Sequence, residues 1–223
     1  MHQGHYPATY IDSRTKEDIA EELVQDIMVG VDDAGIKAEF IGEIGCSWPL
    51  TNNERKVLKA AAIAQQRTGA IITVHPGFYE DSPLEIIKIL SDAGVNTTRI
   101  AICHMCLSVR THETRCKITK TGCYLEWDLF GFEGVYPQPP TLCDLPSDQG
   151  RVRQITQLIT EGYLDQILIS HDICTKIGLT RFGGIGYAHI LNNAVPLMQQ
   201  KGITNEQVHT IMVKNPKRAF TFV

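Results

Sequence analysis

The chain has 223 residues, of which 43% are hydrophobic and 21% charged, and its formal net charge at pH 7 is −4. This composition is that of one globular domain covering residues 1–223, and it excludes both a disordered chain and the strongly basic surface that binds a nucleic acid backbone. No apolar run reaches the ~20 residues of a membrane helix, and the polar opening lacks the apolar core of a secretory signal. The seven scattered cysteines favour reduced thiols. We therefore expect a cytoplasmic protein.

One structural unit recurs along the chain: a short apolar run, a turn, and an amphipathic helix that ends at glycine. The run AEFIGEIG is followed by TNNE, in which Thr51 and Glu54 form a capping-box pattern, and the helix that starts there is expected to end at Gly69. The run AIITVHPG is followed by SPLE, which predicts Ser82 as the N-cap of a helix that stops at Gly94.

Three further runs, RIAICH, CYLEWDL and QILIS, predict three more strands. Strands that alternate with helices indicate a parallel sheet, either doubly wound or closed as a (β/α)8 barrel. The glycine-rich phosphate motif of the doubly wound fold is missing, and the strand ends carry polar residues, as in a barrel. These residues are Glu43, His75, His104, Asp128 and Asp172. The barrel is therefore the prediction, although only five strands are visible where a closed barrel needs eight.

The polar strand ends predict a common site. A single histidine at a strand end is usually structural, but Glu, His, His and Asp at one end of a parallel sheet supply the ligands of a zinc or similar ion. An alternative zinc site is a ribbon with the ligands Cys103, Cys106, His112 and Cys116. Against the ribbon, Cys103 and His104 should point to opposite faces of a regular strand. Likewise His171, which is adjacent to Asp172, should point away from the site.

Several motifs together resemble the phosphotriesterase-related proteins, which are amidohydrolase-like metal hydrolases. They are IGEIGCSWPLT, TVHPG, ICH, ILISHDI, RFGGIGYAHI and VKNPKRAF, in that order. The resemblance implies a (β/α)8 barrel in which Glu43 bridges two metal ions and His75 and His104 bind one of them. It further implies that Asp172 binds the other ion and accepts the proton of the attacking water. The implied reaction is hydrolysis of a small amide or ester, such as an N-acyl amino acid.

The sequence departs from this family pattern at one point. The family has a His-x-His pair at the end of its first strand, and the eight histidines here include no such pair. His2 and His5 have the wrong spacing to replace it. The chain resembles the last two thirds of the family fold, with the first strands missing, which implies a partial (β/α)8 TIM barrel. One tightly bound zinc is then expected where the family has two. The alternative is a non-catalytic, truncated barrel or interaction protein that keeps at most one zinc.

Two more residues are candidates for contact with a small-molecule substrate. Arg181 follows the last strand on the loop side of the barrel, where it can meet an anionic group. Asp128 ends the fourth strand, where an ion pair or a cap at the barrel mouth is an equally good interpretation. The missing strands predict an exposed sheet edge and self-association through that edge.

Overall fold

The computed structural model describes residues 8–138 and 141–222, and seven strands lie within these ranges. The strands are β1 (Ile41–Gly45), β2 (Ile72–His75), β3 (Ile100–Ile102), β4 (Tyr124–Trp127), β5 (Gly134–Gln138), β6 (Thr141–Leu145) and β7 (Ile167–Ile169). Strands β1, β2, β3, β4 and β7 form one sheet in that order, and every neighbouring pair is parallel. The five predicted strands and their parallel arrangement are confirmed. The antiparallel hairpin β5–β6 was not predicted.

Helices connect the strands and continue after the last one. They are α1 (Ala8–Asp12), α2 (Lys16–Met28), α3 (Asn52–Thr68), α4 (Ser82–Asp92), α5 (Met105–Ser108), α6 (His112–Thr119), α7 (Asp148–Thr160), α8 (Val195–Gln200), α9 (Asn205–His209) and α10 (Asn215–Phe220). A π-helical turn, Ile190–Ala194, leads into α8, and another, Thr210–Lys214, joins α9 to α10. Among the described residues, no helix is long and apolar enough to cross a membrane. The cytoplasmic location stays a prediction.

The start of α3 shows how local sequence sets a helix boundary. The Thr51 hydroxyl accepts the Glu54 backbone N–H, and the Glu54 carboxylate accepts the Thr51 N–H at 2.7 Å, so the predicted capping box is confirmed. The helix closes at Gly69, which has φ +74° as expected. The predicted N-cap of α4 is wrong: Ser82 is the first helical residue, and its hydroxyl accepts the Gly77 N–H at 2.9 Å instead of capping the helix. The predicted stop agrees with the structure, because α4 ends at Asp92 and Gly94 has φ +91°.

The parallel sheet buries both of its faces. One face, which includes Ile72, Val74, Ile100 and Ile102, belongs to the main core together with Leu58 and Ala61 of α3. On the other face, which we call the inner face, Ala219 of α10 packs in a smaller apolar cluster. The sheet contributes Ile71, which directly precedes β2, and the strand residues Ala101, Tyr124 and Leu168 to that cluster. The two sets alternate along the strands, as the period of two requires.

A buried arginine fixes the amino-terminal ends of the strands. The Arg99 guanidinium, just before β3, donates to the carbonyl oxygens of Gly69, Arg218 and Thr221 at 2.8, 3.2 and 2.9 Å. These bonds hold the end of α10 against the sheet and satisfy a charged group that burial would otherwise penalise. The inner face is thereby covered near the amino-terminal ends, and the carboxyl ends remain for a site.

Strands β1 and β7 form the two edges of the sheet within the described ranges. Apolar side chains are exposed near the β1 edge, among them Ile36 and Phe40. Phe40 stacks edge-on against Phe220, with ring centroids 5.7 Å apart. Exposed edges of this kind pair readily with other strands, and self-association through them stays a prediction.

Candidate active site

The inner face changes from apolar to polar toward the carboxyl ends of the strands. Alternate residues of a strand share a face. Each residue that the sheet contributes to the apolar cluster is followed, two positions later, by a polar or polarisable residue on the same face. These residues are Thr73, Cys103, Glu126 and Ser170, and they line a cleft of about 200 Å³ together with Glu43, His104, Asp128 and Asp172. The structure thus brings Glu43, His104, Asp128 and Asp172 into one cleft, and His75 joins them through its contacts with Glu43 and His104.

Glu43, His75 and His104 bring three metal-type donor atoms together. Their donor atoms all lie within 4.8 Å of one another. The Glu43 carboxylate is 3.0 Å from His104 Nε2 and 3.7 Å from His75 Nδ1, and the two ring nitrogens are 2.5 Å apart. The side chains of His75 and His104 are only 10% and 4% exposed, whereas that of Glu43 is 39% exposed. Buried imidazoles beside a solvent-accessible carboxylate match the donor set of a zinc site.

Asp128 orients His104. Its Oδ2 atom accepts the His104 backbone N–H at 2.8 Å and lies 2.9 Å from His104 Nδ1. A carboxylate at one ring nitrogen favours the tautomer that leaves the other, Nε2, free to act as a ligand. Of the two interpretations of Asp128 at the sequence level, the ion-pair partner is the one the geometry supports.

The charged groups in the cleft shift one another's pKa values. Burial would raise the pKa of Glu43, but the hydrogen bonds and charges of His104 and His75 outweigh it and lower that pKa well below its ordinary range. Burial opposes protonation of His104, yet the charges of Asp128 and Glu43 raise its pKa above the ordinary value. The cluster therefore attracts positive charge.

Asp172 faces the same cleft from the segment after β7. It has φ +43°, a left-handed conformation that non-glycine residues rarely adopt. Burial, helped by the charges of Asp128 and Glu43, raises its pKa to about 6. Within the described residues, two sets of cleft residues have donor atoms that all lie within 4.8 Å of one another: Glu43, His75 and His104, and Glu43, Cys103 and Asp128. Asp172 belongs to neither set. Its predicted metal-binding and catalytic roles therefore stay predictions.

His171 and Arg181 lie away from the cleft. His171 Nε2 is 2.8 Å from the Tyr187 carbonyl oxygen, and the ring does not line the cleft, as predicted from the strand alternation. Arg181 lies on a 3-10 turn, Thr180–Phe182, where it is exposed and also does not line the cleft. Its contact with a substrate stays a prediction. His2 and His5 lie outside the described residues.

One expectation about the cysteine-rich segment is wrong. Cys103 and His104 both line the cleft, because β3 ends at Ile102 and His104 has φ +56°, so the alternation of a regular strand no longer applies. The zinc ribbon, which the sequence argued against, does not form. Cys103 Sγ lies 3.4 Å from Glu126, and Cys106 is buried in α5, whereas His112 and Cys116 lie on α6.

Glu126 is a cleft residue that the sequence analysis missed. Its carboxylate accepts the Ser170 hydroxyl at 2.9 Å. Burial and the charge of Asp128 raise its pKa to about 7. The signal was present in LEWD, because Glu126 and Asp128 are two residues apart on a strand and therefore share a face.

Comparison with known proteins agrees with this geometry. The model of the phosphotriesterase family matches residues 3–220. The chain belongs to the phosphotriesterase family. An N-acetyltaurine hydrolase of Dictyostelium discoideum is 45% identical over 215 residues, which are 96% of this chain and 58% of that protein. The chain thus spans less than two thirds of the length of this relative.

Solved structures give the same result for the fold. A resiniferatoxin-binding protein from Rhodobacter sphaeroides superposes with a TM-score of 0.90 at 35% identity, over 96% of this chain and 59% of that one. A phosphotriesterase homology protein from Escherichia coli, solved with phosphate in its active site, gives 0.85 at 28% identity, over 97% and 70%. The predicted family resemblance is confirmed, and the five-stranded sheet is part of the barrel of this family, as the partial-barrel prediction stated.

Proposed function

We propose that this chain is a zinc-dependent hydrolase of a small N-acylated amine, of the kind that N-acetyltaurine represents. The observation that carries the proposal is the cluster of Glu43, His75 and His104 in the cleft that also contains Asp172. The family membership and the name of the Dictyostelium relative support the choice of an amide substrate. Location in the cytoplasm and action on small molecules are parts of the same proposal.

The donor set fits a divalent metal ion. Two buried imidazole nitrogens and one carboxylate oxygen, with water as a fourth ligand, make the usual zinc environment. Asp128 holds His104 in the orientation that this requires. When bound there, a divalent ion supplies polarisation of the scissile carbonyl and a lower pKa for water in the cleft. One ion is expected to bind tightly, and a second, which only Glu43 and Asp172 would hold, weakly.

The protein's own groups would perform the remaining tasks. Asp172, with a pKa near 6, is mostly ionised at neutral pH and can accept the proton of the attacking water. Ser170 and Glu126, linked by their hydrogen bond, form the floor beside it. Phe40 and Phe220 give the cleft an apolar wall against which an acyl group can pack.

The test compares Asp172→Asn with His171→Asn in the zinc-loaded protein, with hydrolysis of N-acetyltaurine and N-acetyl amino acids followed by mass spectrometry. Loss of a general base typically lowers kcat by ~10² to 10⁴-fold, so Asp172→Asn should have that effect while keeping the tight zinc. His171→Asn should change kcat little, because its ring bonds to Tyr187 outside the cleft. Equal loss in both variants would remove Asp172 from the mechanism. A wild-type protein that binds zinc but hydrolyses none of these amides would favour the non-catalytic alternative.

A further inference from the structure

A second group of metal-type donors lies on the helices, away from the cleft. His112 is the first residue of α6, Cys116 lies one turn later, and Glu161 directly follows α7. Residues four apart on a helix share a face, so the side chains of His112 and Cys116 lie together. Their donor atoms and the Glu161 carboxylate are all within 4.8 Å of one another. None of the three residues lines the catalytic cleft.

The contacts within this group are short and mutual. His112 Nε2 is 2.6 Å from Glu161 Oε1 and 3.4 Å from Cys116 Sγ, and the Cys116 thiol donates to Glu161 Oε2 at 3.1 Å. Among the described residues, His112 Nδ1 has no hydrogen-bond partner. The polar contacts of the ring are therefore those with Cys116 and Glu161, and this group sets its orientation.

From these observations, we infer that His112, Cys116 and Glu161 form a second zinc site, separate from the catalytic cleft. Thiolate, imidazole and carboxylate are the three ligand types that zinc takes from proteins. A thiolate and a carboxylate also balance the charge of a divalent cation. His112 and Cys116, two of the ligands considered for a zinc ribbon, would then bind zinc together with Glu161 instead of Cys103 and Cys106.

The geometry needs little change to accept the ion. Ligand atoms around a tetrahedral zinc are roughly 3.4 to 3.6 Å apart, given Zn–S and Zn–N bonds of about 2.3 and 2.0 Å. The present separations of 2.6 to 3.4 Å are hydrogen-bond lengths, so outward movement of less than ~1 Å makes room. The side chains of His112 and Glu161 are 33% and 40% exposed and have that freedom. Both also line a groove of about 480 Å³, from which water can supply the fourth ligand.

Cobalt(II) tests the site by absorption, independently of any hydrolytic activity. Cobalt bound to a thiolate gives a near-ultraviolet charge-transfer band, whereas the cluster of Glu43, His75 and His104 has no sulfur ligand. The cleft cluster is expected to take the first equivalent of cobalt, so we expect the band to appear in the wild-type protein as the second equivalent is added, and Cys116→Ser to abolish it. The matched control, Cys103→Ser, removes a cysteine beside the catalytic cluster and should leave the band unchanged. His112→Gln and Glu161→Gln should each weaken cobalt binding at least ~100-fold, since even the loss of an outer-shell partner costs 10 to 100-fold.

Alkylation gives a second readout that does not depend on cobalt. Zinc should protect Cys116 from iodoacetamide, while Cys174, a free and exposed cysteine, stays reactive as an internal control. Circular dichroism establishes that each variant is folded. The proposal is overturned if the wild-type protein shows no band, if the band survives Cys116→Ser, or if zinc leaves the alkylation of Cys116 unchanged. In those cases the three residues form only a hydrogen-bonded surface group.

Discussion

The cleft cluster and the α6–α7 cluster contain similar donors but differ in how these donors are held. In the cleft, His75 and His104 are almost completely buried, and Asp128 fixes the ring of His104. On the helices, the side chains of His112 and Glu161 are 33% and 40% exposed. Burial and outer-shell bonds preorganise the first group, whereas the side chains of the second must move apart by less than ~1 Å to admit an ion. We therefore expect tighter metal binding at the cleft cluster than at the α6–α7 cluster.

The largest expected effect comes from removing a buried ligand. In a Cys116→Ser background, which leaves only the cleft cluster, His104→Asn should weaken zinc binding by at least ~100-fold, because it removes one of three protein ligands. Isothermal titration calorimetry measures the change. His189→Asn is the control, since His189 also pairs with a carboxylate, Asp148, at 2.7 Å but outside the cleft. Equal zinc affinity in the two variants would contradict the ligand assignment of His104.

A smaller effect is expected from the residue that orients the ligand. Asp128→Asn keeps the size of the side chain but loses the charge beside His104 Nδ1. The loss of such an outer-shell partner typically lowers metal affinity by ~10 to 100-fold. The same titration measures this, and His104→Asn should remain the weaker binder. If Asp128→Asn binds zinc as the unsubstituted background does, the cleft is not preorganised in the way described above.

The two clusters are also expected to contribute differently to the stability of the metal-free protein. Asp128→Ala leaves the His104 backbone N–H without its acceptor, and an unpaired buried donor costs ~1 to 3 kcal/mol in the free energy of unfolding. Glu161→Ala removes only a partly exposed pair, which is worth ~0 to 1 kcal/mol. Urea unfolding in chelator measures both values. Similar losses would show that the two clusters are equally important for the fold.

The smallest effect concerns the loop that joins the two regions. Glu80, five residues after His75, accepts the backbone N–H groups of Arg110 and Thr111 at 2.8 and 3.0 Å, next to the start of α6. Burial would raise the pKa of Glu80, but its hydrogen bonds to Thr111 and Arg110 outweigh this and lower it.

A depressed carboxyl pKa stabilises the folded state above the unfolded pKa of about 4.3, and that stability is lost as the pH falls through the lower, folded value. Glu80→Gln should therefore lose ~1 kcal/mol at neutral pH, by loss of charge-assisted bonds, and show less decline in stability below pH ~4. Thermal unfolding at several pH values measures this. Parallel pH profiles for the two proteins would argue against a role of Glu80.

Local sequence predicted those features that local interactions determine. The five strands follow from apolar runs, and the start of α3 follows from the Thr51–Glu54 capping box. The cap of α4 failed because the Ser82 hydroxyl bonds to Gly77, a contact formed by the loop and not by the helix. For the site, the strand ends were predicted because they repeat, but the left-handed backbone of His104 was not. The partnership of Glu161 with His112 depends on packing between helices 49 positions apart in sequence, which no short motif encodes.

The inner face of the sheet has a lower, apolar layer and an upper, polar layer, and these two layers differ in how freely their residues can change. Its lower layer, with Ala219 and the strand residues it contacts, is apolar and is closed by the bonds of Arg99. Its upper layer, with Glu126 and Ser170, lines the cleft but is not part of that apolar packing. Substitutions in the upper layer are therefore expected to change the lining of the cleft, while the lower layer preserves the sheet. The side chains that line the cleft can in this way vary separately from those that the fold requires.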